Sequence, residues 1–534
     1  MENNSKKLSA CEVLPKGYCT GCSTCVSLCP KSALSFSEDE FGYYVPKVDL
    51  NLCNRCGLCQ KQCPALNLPK CKSLNNDRPD LLAVQISDKE ILNKSSSGGV
   101  FSLLASRVLS QGGYVCGAAW TDDLRVKHII VDKLEDLELL RKSKYLQSFI
   151  NGVFPKIEQL LIQNKLVLFS GCPCQVSGLR AFLRKDYTNL ITVDLLCSNA
   201  PSSKFFSMYI DEVYEHKPVK YDFRSKENGL WDHFVKVSFD DGSEIGLKKN
   251  IDSYQRAYHP HIMCPIHCEK CIYQSLPRVG DITIGDFWGI GKKNLSLAVK
   301  DGVSAVLLNN KKGELFFESI NDEKLFAFKQ RVPLEWLGGN GYALKGTHNY
   351  ASPSRNRFYS SIESGSSFKE ALDNALNGLR LDEFLESNHN NCVSIYKSDI
   401  RKDFVYDPND WEEHHIYGDT YLFAKRSKSK SRKFAYKFLD TTLAKGTSYR
   451  MYIKFKVSTI ARLVNFHVMD GVSKKYQVIH GHKVSNRDSE EYITKEIVFT
   501  ADGNYDCFMI GASQIIGDDP WFAVVAIAVA KVGY

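Results

Sequence analysis

Two cysteine runs at one repeated spacing constrain this chain more than any other feature. Cys19, Cys22, Cys25 and Cys29-Pro30 read C-x2-C-x2-C-x3-C-P, and Cys53, Cys56, Cys59 and Cys63-Pro64 repeat it. This is the spacing of bacterial two-cluster ferredoxins, in which the fourth cysteine of each run ligates the other run's cluster. One 4Fe-4S cluster is therefore assigned to Cys19, Cys22, Cys25 and Cys63, and the other to Cys53, Cys56, Cys59 and Cys29. Structural zinc is the competing reading, but zinc ribbons pair two C-x2-C halves and need neither a third cysteine nor a trailing proline. The Cys-Pro step is expected to open a crossing helix. Between the runs, Ala33 to Phe36 and Tyr43 to Pro46 flank a turn and predict a hairpin. Cys11 and Cys71 flank the module as unligated thiols. Such a module moves electrons one at a time.

The 534 residues exceed one ordinary core, so several units are expected. No N-terminal signal peptide is visible. The longest apolar run, Trp521 to Ala530, has about half the length of a membrane helix. A soluble, cytoplasmic protein with no membrane span is expected, its 19 cysteines serving as metal thiolates rather than disulfides. Lys and Arg total 69 against 61 for Asp and Glu, a formal charge of +8. The only dense basic run, Lys425 to Lys433, reads as a solvated loop, so nucleic acid is not an expected partner.

From residue 76 to 385 strand-like and helix-like stretches alternate, which predicts an α/β domain. Ser95 to Gly99 precedes an apolar helix over Val100 to Leu109, and a Ser/Gly loop opening a helix suits a phosphate. Two apolar strands follow, Leu166 to Ser170 and Leu190 to Leu196. The first ends in Gly171-Cys172-Pro173-Cys174-Gln175, the second in Cys197-Ser198-Asn199. In a parallel sheet both loops fall on the carboxyl edge, where open α/β folds bind ligands. Cys264, Cys268 and Cys271 come next, just before Gly280 to Gly289. A third 4Fe-4S cluster is assigned to Cys174, Cys197, Cys268 and Cys271, with Cys172 and Cys264 as substitutes. Cys116, Cys392 and Cys507 read as packed thiols, and His259, His261 and His267 as hydrogen-bonded or exposed neighbours rather than ligands.

The stretches Ser96 to Ser102, Lys144 to Ser148, Val167 to Gln175, Asp194 to Cys197, Phe223-Arg224, Cys268-x2-Cys271 and Gly280 to Gly289 occur in the order of a known family. By them the middle domain resembles the coenzyme F-420 (deazaflavin) hydrogenase/dehydrogenase beta subunits, which are similar in turn to plant 7-hydroxymethyl chlorophyll a reductase. The resemblance implies FAD beside a 4Fe-4S cluster. It places Ser97, Gly98 and Gly99 at the flavin phosphates. It makes Lys144, Tyr145, Ser170, Gly171, Gln175 and Thr283 candidates for the other flavin contacts. Relatives commonly read Cys-His-Gly where this chain has Cys197-Ser198-Asn199, so catalytic residues are not carried over. Asp194, Asp286 and His233 are titratable residues near these motifs, with hydrogen bonding, an Asx-turn and surface exposure as their plainer readings.

A polar linker is expected at 386–410, after a helix over Arg355 to Leu379. From 411 to 534 short β-branched and aromatic stretches separated by turns predict an antiparallel β-sandwich of jelly-roll type. Trp411, Tyr417 and Trp521 are its candidates for stacking on sugar, or for its core. The fold expected overall is a ferredoxin-like domain over 1–75, the α/β flavin and iron–sulfur domain, and this sandwich. Clusters deliver single electrons and a flavin collects pairs. The function expected is thus an iron–sulfur flavoprotein oxidoreductase reducing a small molecule or glycan intermediate, in surface-polysaccharide synthesis of an anaerobe, with reduced ferredoxin as an external donor. The alternatives are a deazaflavin-dependent dehydrogenase subunit of a larger complex, or a non-catalytic electron-transfer adaptor.

Overall fold

The apolar runs of the middle region become one eight-stranded sheet. In chain order its strands are β1 Asp80–Ile86, β2 Tyr114–Trp120, β3 Val126–Val131, β4 Val167–Gly171, β5 Leu190–Leu195, β6 Ile282–Asp286, β7 Ser304–Leu308 and β8 Phe326–Val332. In this computed structural model they lie in the order β8-β1-β7-β6-β5-β4-β2-β3. The centre, β2-β4-β5-β6, is parallel, and the remaining pairs are antiparallel, so the sheet is mixed. Every residue of β4 and β7 is buried. Both faces are covered, which is why these strands read as unbroken apolar runs.

Three helices matter for the site: α1 Thr24–Leu28, α2 Val100–Leu109 and α3 Pro173–Leu183. Leu104 and Val108 of α2 share a core with Val115, Leu168 and Val306. Val176 and Leu179 of α3 share another with Phe154 and Phe169. Pro173 occupies the first turn of α3, where a missing N–H costs nothing. Phe169 is fully buried, and truncating such a ring costs about 3–5 kcal/mol.

The N-terminal module holds the expected hairpin, Leu34–Glu38 paired antiparallel with Tyr44–Val48. The helix at each Cys-Pro step lies on the other side from that expected. α1 ends at Cys29, and Leu58–Lys61 stops short of Cys63, because a residue preceding proline is pushed out of the helical region. The module seats on the α/β domain: the Thr24 hydroxyl donates to the Gly178 carbonyl at 2.9 Å, and the Tyr44 N–H to Gln147 Oε1 at 2.8 Å.

The structure describes residues 7–376, except 68–74, 344–352 and a few single positions, and the strands between 392 and 531. Two compact units result, Met1–Asp373 and Asn374–Tyr534. The helix expected over Arg355 to Leu379 is two, Pro353–Glu363 and Phe368–Leu376, parted by Gly365 at φ +86°. The second unit consists of antiparallel strands in a six-stranded and a four-stranded sheet. The rings of Phe455 and Phe466, one from each sheet, lie 4.9 Å apart. Strand Cys392–Lys397, inside the expected linker, pairs with Trp521–Lys531. Cys71, the Asn388 to Asn391 segment, the loop from Lys425 and the side chains of Cys392, Trp411, Tyr417 and Trp521 lie outside the described residues. Among the described residues no helix is long and apolar enough to cross a membrane.

Candidate functional site

The carboxyl ends of β4, β5 and β6 open on one cavity of about 480 Å³. Parallel strands put their following loops on the same edge, so the cysteines after β4 and β5 meet there. Cys174, Cys197, Cys268 and Cys271 all line the cavity, and so does Cys172. Cys264 does not: it is buried, its thiol turned to the Pro265 carbonyl. Ser97, Gly99, Lys144, Tyr145, Ser170, Gly171 and Gln175 line the same space.

Two predicted flavin contacts stand elsewhere. Gly98 is turned to the sheet, its N–H donating to Ser304 Oγ at 3.0 Å, and a Cβ there would meet the Val84 carbonyl oxygen at 2.3 Å. Thr283 is fully buried in β6, its hydroxyl donating to Asp194 and accepting from Asn309 Nδ2 at 2.8 Å. Both serve the sheet rather than the cavity. Gln175 Oε1 accepts from the Cys172 N–H at 2.9 Å and so caps α3. The Ser97 hydroxyl donates to the Val303 carbonyl at 2.8 Å and Ser96 Oγ accepts from the Ser143 N–H at 2.9 Å, which leaves chiefly backbone N–H groups of the turn for a ligand.

The electrostatics follow from burial. Lys144, half-buried, donates to the Leu139 and Arg141 carbonyls at 3.1 and 2.7 Å, and desolvation brings its ammonium down to about 7. Burial likewise lowers His128, His259 and His267 to about 4, so these rings are neutral at pH 7. His128 Nε2 lies 3.1 Å from the Ser170 carbonyl, an acceptor only, so that nitrogen carries the proton and Nδ1 accepts from Ser148 at 2.6 Å. Asp194 does not line the cavity, being wholly buried and accepting from the Val279 and Gly280 N–H groups. Asp286 is held by Arg224 at 2.6 Å and by the Trp231 indole at 2.9 Å rather than in an Asx-turn. His233 is packed, not exposed, with His259 at 4.2 Å and Trp288 at 5.2 Å between ring centroids.

Reading the sequence missed His128 and Tyr258, which stacks on Tyr145 at 4.5 Å, and gave no role to Trp288 within the Gly280 to Gly289 stretch. No quoted stretch contains His128 or Tyr258, so no motif marks them.

The N-terminal cysteines divide between two further cavities. One, of about 340 Å³, is lined by Cys19, Cys22, Cys25 and Cys63, and also by Cys11. A smaller one is lined by Cys29, Cys53, Cys56 and Cys59. The fourth cysteine of each run thus stands with the first three of the other. Burial first, then neighbouring thiolates, push Cys19 up to about 12, and burial with Cys22 pushes Cys63 to about 11. Burial also raises Cys174 well above the thiol range, with Cys197, Cys271 and Cys22 adding to it. Thiols so placed become thiolates only against a strong positive charge, which fits iron. Backbone N–H groups of Gly21, Ala33 and Ala10 point to the sulfurs of Cys19, Cys29 and Cys59 at 3.5, 3.3 and 3.4 Å, the kind of bond that tunes a cluster's potential.

Thiol-lined cavities on a ferredoxin-type spacing define an iron–sulfur electron-transfer protein. Comparison with known proteins makes the class particular. Residues 18–67 match the 4Fe-4S dicluster domain, and residues 164–333 match the family described as the C terminus of the beta subunit of coenzyme F420 hydrogenase/dehydrogenase. The central region is thus similar to the C-terminal part of those beta subunits, with a dicluster-like stretch on its N-terminal side. The uncharacterized protein MJ1349 of Methanocaldococcus jannaschii is 23% identical over 369 residues, 61% of this chain and 92% of its own. The coenzyme F420-dependent sulfite reductase of the same organism is 28% identical over 176 residues, 32% of this chain and 26% of its own. A chain of the F420-reducing NiFe hydrogenase complex of Methanosarcina barkeri aligns at a TM-score of 0.32 and 17% identity, over 59% of this chain and 93% of that one.

Proposed function

We propose that this chain is an iron–sulfur oxidoreductase subunit exchanging electrons with a deazaflavin of the F420 type, as part of a larger complex. One observation carries the reading. A single cavity gathers the Ser95 to Gly99 turn, the Lys144-Tyr145 wall and the thiols of Cys174, Cys197, Cys268 and Cys271. The four thiols fit a third 4Fe-4S cluster, and the turn, ahead of the free N–H groups of α2, fits the phosphates of FAD. When bound, clusters supply single-electron steps and a flavin exchanges single electrons for pairs.

The chain's own residues shape that exchange. Arg224 fixes the turn, Tyr145 and Asp286 to one another. Neutral His128 and its Ser148 partner line the pocket without adding charge. Lys144 takes up a proton when an anion arrives beside it. His261 holds Nε2 on the Ser198 hydroxyl at 2.7 Å, at the cavity wall, where it can pass a proton. Sulfite reduction is not carried over, since the shared stretch is 26% of that enzyme. The second unit fits a β-sandwich, but the glycan setting gains nothing from the two family matches, which end at residue 333.

Anaerobic purification with iron, sulfide and flavin quantified tests the proposal; about twelve iron atoms and one FAD per chain are expected from three four-iron clusters. Reduced deazaflavin mixed with the oxidised protein should bleach the flavin band within one turnover. Iron near eight per chain, about two clusters' worth, removes the third cluster. If dithionite reduces the clusters while deazaflavin does nothing, the chain is an adaptor instead.

A further inference from the structure

We infer that the cluster of Cys19, Cys22, Cys25 and Cys63 is the inner one of the relay, and that Gly178 is the positioning residue for its handover to the large cavity. The inference rests on the proposed electron-transfer role and adds the order of the clusters and the place of contact.

Thr20 lines both the Cys19 cavity and the large one, so the two spaces are separated there by a single residue. The cavity of Cys29, Cys53, Cys56 and Cys59 shares no lining residue with the large one, and its Cys56 is exposed. The module therefore has an outer end and an inner end.

Gly178 lies in the middle of α3 and has no positive φ to explain it. A glycine there weakens the helix, so the reason must be its neighbour. A Cβ at 178 would meet Cys22 Cβ at 2.8 Å, the Cys22 carbonyl oxygen at 2.9 Å and Thr24 Oγ1 at 3.1 Å. Two of these belong to the cluster-bearing Cys22, and one is backbone that cannot rotate away. The Thr24 hydroxyl closes the contact by donating to the Gly178 carbonyl, in a buried bond of 2.9 Å. Cys174 stands four residues before Gly178 on the same helix, hence on the same face. One helix face thus offers a thiol for the cavity cluster and, a turn later, a seat without a side chain for the inner module cluster.

Each passage along this contact is one electron, drawn from an external one-electron reductant and delivered to a two-electron acceptor in the large cavity. Two passages and one proton from water balance one hydride equivalent.

The test uses the full chain purified with its clusters, with dithionite as reductant. Gly178→Ala and Gly178→Val insert graded bulk, and Thr24→Val removes the hydrogen bond while keeping the shape. Iron and sulfide content should stay at the unaltered level, and the cluster band should bleach at the unaltered rate. Reduction at the flavin band should slow several-fold in Gly178→Ala and further in Gly178→Val. Spin–spin broadening of the reduced-cluster signals in electron paramagnetic resonance should weaken in the same order. Gly178→Ala adds one methyl and favours the helix, so it decides the matter even if the valine variant sheds iron. Unchanged flavin-band rates and broadening in an iron-replete Gly178→Ala protein would overturn the relay order and leave the proposed function standing. A protein with no cavity chromophore reducible by its clusters would instead remove the proposed function, whatever residue 178 is.

Discussion

Arg224 spends its guanidinium on three walls of the large cavity: Asp286 at 2.6 and 3.1 Å, the Tyr145 hydroxyl at 3.1 Å and the Ser96 carbonyl at 3.0 Å. It is almost wholly buried, and lysine lacks the fork to replace it. Removing one member of a buried ion pair costs about 3–5 kcal/mol. Arg224→Met should lose about that much in urea unfolding, together with the flavin proposed for the cavity. Lys144 acts through pH. Its ammonium sits at about 7 because burial penalises the charge. Between there and the ordinary lysine range, about pH 10, the unfolded chain binds the extra proton, so stability rises with pH across that window. The penalty is complete below pH 7. Lys144→Met should therefore raise the unfolding midpoint in acid and neutral solution, the gain fading toward about pH 10, near the ordinary lysine value. The two N-terminal cysteine runs were legible as a 4Fe-4S dicluster domain because their spacing is local. Arg224 stood in a recognised stretch yet showed no role, since its partners lie at positions 96, 145 and 286 and meet it only through the fold.

The Ser95 to Gly99 turn shows what the elements contribute. It is pinned between two strands, with the Ile86 N–H donating to the Gly98 carbonyl at 3.0 Å and the Gly98 N–H to Ser304 Oγ at 3.0 Å. A methyl at 98 would strike backbone of both, the Val84 oxygen at 2.3 Å and the Ser304 nitrogen at 2.7 Å. Overpacking of this kind costs about 1–3 kcal/mol. Gly98→Ala should lower the calorimetric midpoint and release the flavin proposed for the cavity while the circular dichroism of the helices persists. Strands β4 and β5 fell within a residue or so of expectation because buried apolar runs declare themselves. The antiparallel pairing of β1 with β7 and β8 did not show, because it is decided some 220 to 250 residues away. The same holds for Cys392–Lys397, read as linker, whose partner strand lies beyond residue 520. The misplaced Cys-Pro helix had a local cause, the restriction that proline puts on the residue before it.

At the scale of the molecule, the proposed relay order makes the exposed end of the cluster module the place where an external carrier should dock. Cys56 is exposed, and its cavity is lined by Lys7, Lys31 and Arg55, with no carboxylate among the described lining residues. Lys7 and Lys31 are exposed, whereas Arg55 shares its charge with Glu12 at 3.7 Å. Leu8, 46% exposed, adds an apolar spot inside this ring of charge. A small apolar centre within a basic rim suits brief contact with an acidic one-electron carrier, and complementary charge acts chiefly on the association rate. Reduction by a reduced acidic ferredoxin should therefore slow steadily with added salt, as screening shortens the reach of these lysines. Reversing both charges, Lys7→Glu with Lys31→Glu, should lower that rate roughly tenfold at low salt, the lower bound for electrostatic steering. Iron content and the internal flavin-band rate should not move, because neither lysine lines the inner or the large cavity. A salt-independent rate, or a double variant reduced as fast as the unaltered protein, would place the docking surface elsewhere, since a carrier brought in by these charges cannot ignore both their screening and their reversal.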